Sequence, residues 1–139
     1  MLIALGALAW CLTTGSTVDS LVLLSVLVLV PLAARVLLGP SPVREVLPLL
    51  GGLGAAFGGA SGSYLWLAAT VGLAFYAAAS LRADRLGASL ASLPPLCFPV
   101  VGALWWVAAR NAYAPLGFHE PIVSLTAAHF HHAAVTPQL

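Results

Sequence analysis

Long apolar runs alternate along this chain with short polar stretches. A helix needs about 20 residues to cross the roughly 30 Å hydrocarbon core of a bilayer, and about 17 to 25 are tolerated. By that measure the runs predict six helical segments, some of them short. They cover residues 2–13, 20–38, 45–60, 64–81, 89–109 and 121–139.

The connections between these runs, such as GPSPVR, SGS and RADRLGA, are short and rich in turn-forming residues. They carry nearly all of the charged side chains. Because short connections join antiparallel neighbours, we expect one domain over residues 1–139. Its fold class is predicted to be all-α, a polytopic transmembrane helical bundle of five or six segments. The last segment runs to the end of the sequence, and the bundle is expected to be incomplete there.

Composition favours the same fold class, since 61% of the 139 residues are hydrophobic and only 6% are charged. An average soluble domain has about a quarter of its residues charged. The formal net charge is +1, so the chain offers no basic surface to nucleic acid. The expected partner is therefore the lipid bilayer, and nucleic-acid binding is excluded.

Arginines predict the orientation, because positively charged loops are retained in the cytoplasm. Arg35, Arg44, Arg82 and Arg85 fall on one side of the six predicted segments, and Arg110 falls on the other. This bias predicts a cytoplasmic N-terminus. If a short segment re-entered the membrane instead of crossing it, the predicted orientation of every later segment would be inverted.

Glycine and proline predict how the segments pack. Gly54, Gly58 and Gly62 recur every four residues, which predicts a face of bare backbone for close helix packing rather than a phosphate-binding loop. Pro31 and Pro99 lie inside apolar runs and are expected to kink their helices, because each removes a backbone donor.

Aromatic residues and cysteines have simpler interpretations. Trp66, Trp105 and Trp106 lie towards segment ends, where tryptophan typically anchors a helix at the headgroup level. Cys11 and Cys97 lie in separate segments without metal-binding or disulfide spacing, so both are predicted to be small packing residues.

All four histidines fall between residues 119 and 132. On a helix, His129 and His132 share a face, whereas His131 points elsewhere. Such a pair can hold a transition metal or one axial position of a haem, but a complete site needs ligands from other segments. The predicted metal ligands are therefore His129, His131 and His132. The competing interpretation is that the imidazoles form hydrogen bonds between helices and bind nothing.

Three neighbouring residues are candidates for a substrate or proton path: His119, Glu120 and Thr126. Glu120 also lies at the predicted start of the last segment, where a carboxylate is favoured by the helix dipole. Capping is its alternative role. The sequence has no GxSxG or HExxH motif, so no catalytic residue is predicted and enzymatic activity is left open.

Three stretches, VDSLVLLSVLVLVPLAARVL, CFPVVGALWWVAAR and PLGFHEPIVSLTAAHFHHA, resemble the YndJ-like family of bacterial membrane proteins. The family signature resembles GF, IV, LTA and then His-Phe-His. It falls here on Gly117, Phe118, Ile122, Val123, Leu125, Thr126, Ala127, His129, Phe130 and His131.

The resemblance implies a multi-pass protein of the bacterial inner membrane, and some family members carry a transporter label. Family sequences usually continue with further membrane segments, whereas this chain stops at Leu139. It therefore resembles the N-terminal part of a longer protein.

Three functions remain open at this point. A transporter or permease would use kinked helices and buried histidines along its path. A redox protein would use the histidines to ligate a metal or haem. A structural or assembly subunit would need neither. Its partners would be further membrane helices of a longer chain or a second copy in a homo-oligomer.

Overall fold

The computed structural model describes residues 2–11, 17–83 and 93–133, and these contain helices and turns but no strand. The helices are α1 (Leu2–Cys11), α2 (Thr17–Leu24), α3 (Val30–Leu38), α4 (Pro42–Phe57), α5 (Gly59–Ala83), α6 (Leu93–Arg110) and α7 (Ile122–Ala133). A π-helical turn, Ser25–Leu29, joins α2 to α3, and a 3-10 turn, Pro115–Gly117, precedes α7. The all-α fold class is confirmed for the described ranges. Residues 12–13, 89–92 and 134–139 of the predicted segments lie outside them.

Among the described residues, two helices are long and apolar enough to cross a membrane. One is Thr17–Leu38, whose 22 residues run through the π-helical turn, and the other is Gly59–Ala79, with 21 residues. Cys97–Arg110 is apolar but shorter. Five or six membrane segments would require more than these two helices, and that number stays a prediction.

A tight hairpin joins α4 to α5 at Gly58, which corrects the predicted connection at residues 61–63. The Gly58 amide donates to the Gly54 carbonyl at 2.7 Å, and Gly59 has a positive φ of 58°. Gly62 packs so closely on Gly54 that a Cβ at Gly62 would overlap the Gly54 carbonyl oxygen. The chain reverses here because glycine permits both the positive φ and the contact between backbones. The serines at 61 and 63 continue α5.

Pro31 shapes the long helix through the π-helical turn. It has no N–H to donate to the Leu27 carbonyl four residues earlier. The adjacent amide of Val30 instead donates five residues back, to Ser25. The Leu27 carbonyl faces α1, where a Cβ on Gly6 would overlap its oxygen. The disturbance of the helix expected at Pro31 is thus a π-helical turn. Helix α1 packs against this turn.

Two tryptophans, Trp66 on α5 and Trp106 on α6, are fully buried in the core. Their prediction as interfacial anchors is wrong, because the helices around them present small side chains that leave room for indole rings. Ala69, Ala103 and Ala127 belong to the same buried cluster.

The outer surface of the bundle is strongly apolar. Large exposed side chains include Leu50, Phe57, Leu65, Phe75 and Leu104. Both cysteines are also exposed. Each therefore lies on an outward side of its helix, and neither packs in the interior of the bundle.

Polar contacts gather at one end of the bundle. Arg35 lies 3.7 Å from the Glu45 carboxylate. Arg44 donates to the Gly39 carbonyl and to the Tyr76 hydroxyl, each at 3.2 Å. These contacts hold the α3–α4 connection beside the C-terminal half of α5.

Candidate functional site

The three histidines of α7 leave the helix in three directions. His131 is fully buried, His132 is half-buried and His129 is exposed. Successive residues of an α-helix are rotated by about 100°, so His129 and His132 lie about 60° apart on one side of α7 and His131 points away from both. One imidazole therefore enters the core.

Both ring nitrogens of His131 are hydrogen-bonded. The Trp66 indole N–H donates to Nε2 of His131 at 2.9 Å, and Nδ1 lies 2.7 Å from the Ala127 carbonyl oxygen. An indole nitrogen only donates and a carbonyl oxygen only accepts. The ring is therefore the neutral tautomer that carries its proton on Nδ1.

The His131 and Trp66 rings meet edge to edge. Their planes are 25° apart and their centroids are 5.9 Å apart, and the short nitrogen–nitrogen distance requires the ring edges to face each other. The pair connects α5 to α7 across the core. It is a directional contact inside a mostly apolar interior.

Gly102 on α6 makes room for this imidazole. A Cβ at Gly102 would lie 2.6 Å from Nδ1 and 2.8 Å from Cε1 of His131. Real Cβ atoms do not approach other atoms this closely, so any side chain at this position would displace the ring. The site is thus built from three helices: the donor on α5, the ring on α7 and bare backbone on α6.

Trp66 belongs to a buried polar stripe on α5 that also contains Ser63 and Thr70. Ser63 donates to the Ala60 carbonyl at 2.6 Å, and Thr70 donates to the Leu67 carbonyl at 2.9 Å. Both hydroxyls are therefore satisfied within α5. Sequence analysis missed this stripe, although polar residues spaced three and four apart in an apolar helix are a signal that could have identified it.

The other two α7 histidines have different surroundings. His132 Nε2 lies 3.0 Å from the Leu21 carbonyl oxygen on α2, so this nitrogen donates. His129 touches the ring of Phe130, with centroids 5.5 Å apart, and no hydrogen bond to it is found among the described residues.

The structure does not gather the predicted metal ligands around one ion. Within residues 2–11, 17–83 and 93–133, no group of three or more His, Cys, Asp and Glu side chains is placed to hold a metal. His131 has no nitrogen lone pair left to offer, because Nε2 accepts from Trp66 and Nδ1 is protonated. The chemistry available at the buried ring is hydrogen bonding between helices.

The predicted path residues also lie apart from the buried ring. His119 and Glu120 are exposed in the α6–α7 connection. Thr126 is half-buried, and its hydroxyl donates to the Ile122 carbonyl at 2.8 Å. The described geometry does not join these three side chains to His131.

Comparison with known proteins gives one match. A family model described as YndJ-like protein matches residues 20–139, a range that contains Trp66, Gly102 and His131. No curated protein and no solved structure matches the chain.

Proposed function

Because the chain belongs to the YndJ-like protein family, we propose that it is a multi-pass protein of the bacterial inner membrane with five or six membrane segments. Two helices of membrane-spanning length and composition support this. So does the apolar outer surface, on which side chains such as Phe75, with 73% of its surface exposed, would otherwise face water. Exposed apolar area of this kind is typical of proteins surrounded by lipid or by partners.

The proposal includes the orientation. Arg35 and Arg44 lie together at the end of the bundle where α3 meets α4, and Arg110 ends α6. The side chain of Arg82 and all of Arg85 lie outside the described residues. We place the end that carries Arg35 and Arg44 in the cytoplasm, because arginine-rich loops are retained there.

We further propose that the protein is a structural module of a membrane assembly. The observation that supports this is the hydrogen bonding of the buried His131. Both of its ring nitrogens form hydrogen bonds to groups of the bundle itself. A ligand-binding or proton-carrying imidazole needs a nitrogen directed at its ligand or at a path. A neutral imidazole bonded on both sides instead holds α5 and α7 in register.

The transport and redox alternatives receive less support from the same geometry. Either alternative would use His131 together with its neighbours, whereas His131 points into the core and away from His129 and His132. A transport path would also need polar walls. A described groove of about 420 Å³ between α5 and α6 is lined by apolar side chains such as Val71 and Phe75 and by Cys97.

The experiment is elemental analysis and optical spectroscopy of the full chain purified in mild detergent without chelators. We expect no stoichiometric transition metal and no haem absorbance, and we expect none after incubation with zinc or haem. A stoichiometric metal or a Soret band that is lost in the His131→Ala variant would support the redox alternative and reject the structural module. His119→Ala, which changes an exposed loop imidazole, is the matched control.

A further inference from the structure

An apolar groove of about 280 Å³ lies on the outer surface between α4 and α5. Gly51 packs so closely on α5 that a Cβ at this position would overlap the Ala69 side chain, so the floor of the groove consists of small residues. We call it the α4–α5 groove, and it is lined by Leu47, Leu50, Gly51, Leu65, Ala68 and Ala69. None of these side chains offers a hydrogen bond, and a molecule that fills the groove must therefore be apolar there.

The α4–α5 groove leads to Arg44 and Tyr76. On α4, Arg44, Leu47 and Gly51 are spaced three and four residues apart, and on α5 Tyr76 follows Ala69 by seven residues, so each set shares one helix face. The Arg44 guanidinium lies 5.0 Å from the centre of the Tyr76 ring and donates to its hydroxyl at 3.2 Å. At 1.5 Å per residue, Gly51 is about 10 Å along α4 from Arg44. One extended molecule can therefore contact both the groove and the guanidinium.

Arg44 keeps its positive charge and some of its donors unused. It donates to the Gly39 carbonyl and to the Tyr76 hydroxyl, which engages two of its five N–H groups. Its buried Nε–H has no partner among the described residues. Glu45 lies 3.7 Å from Arg35, and no acidic side chain within the described ranges pairs with Arg44. This end of the groove therefore presents a guanidinium whose charge is not offset.

We propose that the groove and Arg44 bind an anionic phospholipid, with its phosphate at the Arg44 guanidinium and one acyl chain in the α4–α5 groove. This inference rests on the proposed membrane location. Arginine binds phosphate oxygens through charge-assisted hydrogen bonds, and basic pockets between membrane helices on the cytoplasmic side bind acidic lipid head groups. A head group with a single negative charge complements one unpaired arginine. The additional ammonium group of a zwitterionic lipid would be repelled by it.

The test is native mass spectrometry of the full chain released from mild detergent. Phosphatidylglycerol and phosphatidylcholine with the same two acyl chains are added in equal amounts. We expect one phosphatidylglycerol to bind about tenfold more tightly, because only its charge matches that of Arg44. Equal binding of the two lipids rejects recognition of the head group. Displacement of the lipid by inorganic phosphate would reject the contribution of the groove.

Substitution of Arg44 tests the head-group contact. Arg44→Gln should lower the affinity for phosphatidylglycerol about tenfold, to that for phosphatidylcholine. Arg44→Lys should keep most of the preference, because the charge remains. Arg110→Gln is the matched control, since Arg110 ends α6 and lies over the Trp106 ring, away from the groove.

Filling the groove tests the acyl-chain contact without disturbing the core. Ala68 is exposed, so Ala68→Trp should cover the groove, leave the fold intact and weaken the binding of phosphatidylglycerol. Leu104→Trp, at an exposed position of α6, should leave the binding unchanged. This pair of variants decides the proposal even if Arg44→Gln does not fold.

The outcomes separate this proposal from the membrane location. If the chain is inserted in the membrane but Ala68→Trp and the folded Arg44 variants bind phosphatidylglycerol as the unchanged chain does, the lipid site is rejected and the membrane location stands. A chain that is absent from the membrane fraction of the expressing cells rejects the membrane location itself.

Discussion

The hydrogen bond between Trp66 and His131 joins residues that are 65 positions apart in the sequence. In a membrane bundle, apolar packing does not distinguish strongly between helix–helix and helix–lipid contact. A directional polar contact therefore does more to specify which faces meet. Because Gly102 contacts the same ring, the pair fixes the positions of α5, α6 and α7 relative to one another.

Trp66→Phe should destabilise the protein, because it removes the indole donor and leaves Nε2 of the buried His131 without a partner. Measured interhelical hydrogen bonds and unpaired buried acceptors predict a loss of about 1 to 2 kcal/mol in the free energy of unfolding. Reversible unfolding in mixed detergent micelles measures it.

Trp105→Phe is the matched control for that measurement. Trp105 is half-buried and contacts the Phe118 ring, a contact that phenylalanine can keep in part. If both substitutions have equal effects, the hydrogen bond to His131 does not contribute to stability.

Sequence analysis identified the stretch that contains His131 but not the direction of its side chain. Val123, Ala127 and His131 form the buried face of α7, yet the outward positions Ile122 and Leu125 are equally apolar. In a soluble helix, polar residues on the outer face reveal the inner one. A helix that is apolar on both sides lacks this signal, so the partner Trp66 could not be assigned either.

At the scale of elements, the α4–α5 hairpin depends on glycine. Gly62→Ala should prevent its closure, because the added methyl group would occupy the position of the Gly54 carbonyl oxygen. We expect loss of the monodisperse species in size-exclusion chromatography in detergent, together with a lower midpoint of thermal unfolding.

Ser61→Ala is the neighbouring control, since Ser61 is exposed in the same turn of α5. A Gly62→Ala variant as stable as Ser61→Ala would mean that the two backbones are not in contact.

The helix ends show where sequence reasoning succeeds and where it fails. The glycine spacing predicted one helix face of bare backbone, but the structure places Gly54 on α4 and Gly62 on α5, where the two backbones contact each other across the hairpin. The position of the turn was missed because serine and glycine at residues 61–63 are typical turn formers. A serine hydroxyl can also bond to its own helix, as Ser63 does to Ala60, and α5 therefore begins earlier than predicted.

At the scale of the whole molecule, the proposed orientation predicts which connections face each side. Between Ser41 and Ala114 lie α4, α5 and α6, three crossings that would place the two positions on opposite sides of the membrane. In a Cys11→Ser, Cys97→Ser background, a membrane-impermeant maleimide should label Ala114→Cys in intact spheroplasts. It should label Ser41→Cys only after lysis.

Labelling of both positions from the same side would contradict three crossings and favour a re-entrant α4. The reversed pattern would leave the number of crossings intact and invert the orientation. The sequence predicts the apolar runs but not the number of membrane crossings. Short apolar helices such as Pro42–Phe57, with 16 residues, lie near the lower limit of length for crossing a bilayer.

The contact between Gly6 and the Leu27 carbonyl restricts how the α1 sequence can diverge or be redesigned. Together with the hydrogen bond from Trp10 to the Ser20 carbonyl, this contact joins α1 to the long helix, and Ala9 and Trp10 pack in the core cluster. Divergence at Gly6 is then restricted, because any side chain there would collide with the Leu27 carbonyl oxygen. The segment is also outside the range matched by the family model. A foreign helix grafted in its place, such as one carrying a fluorescent or affinity label, would need glycine at this depth and side chains that also pack against α4.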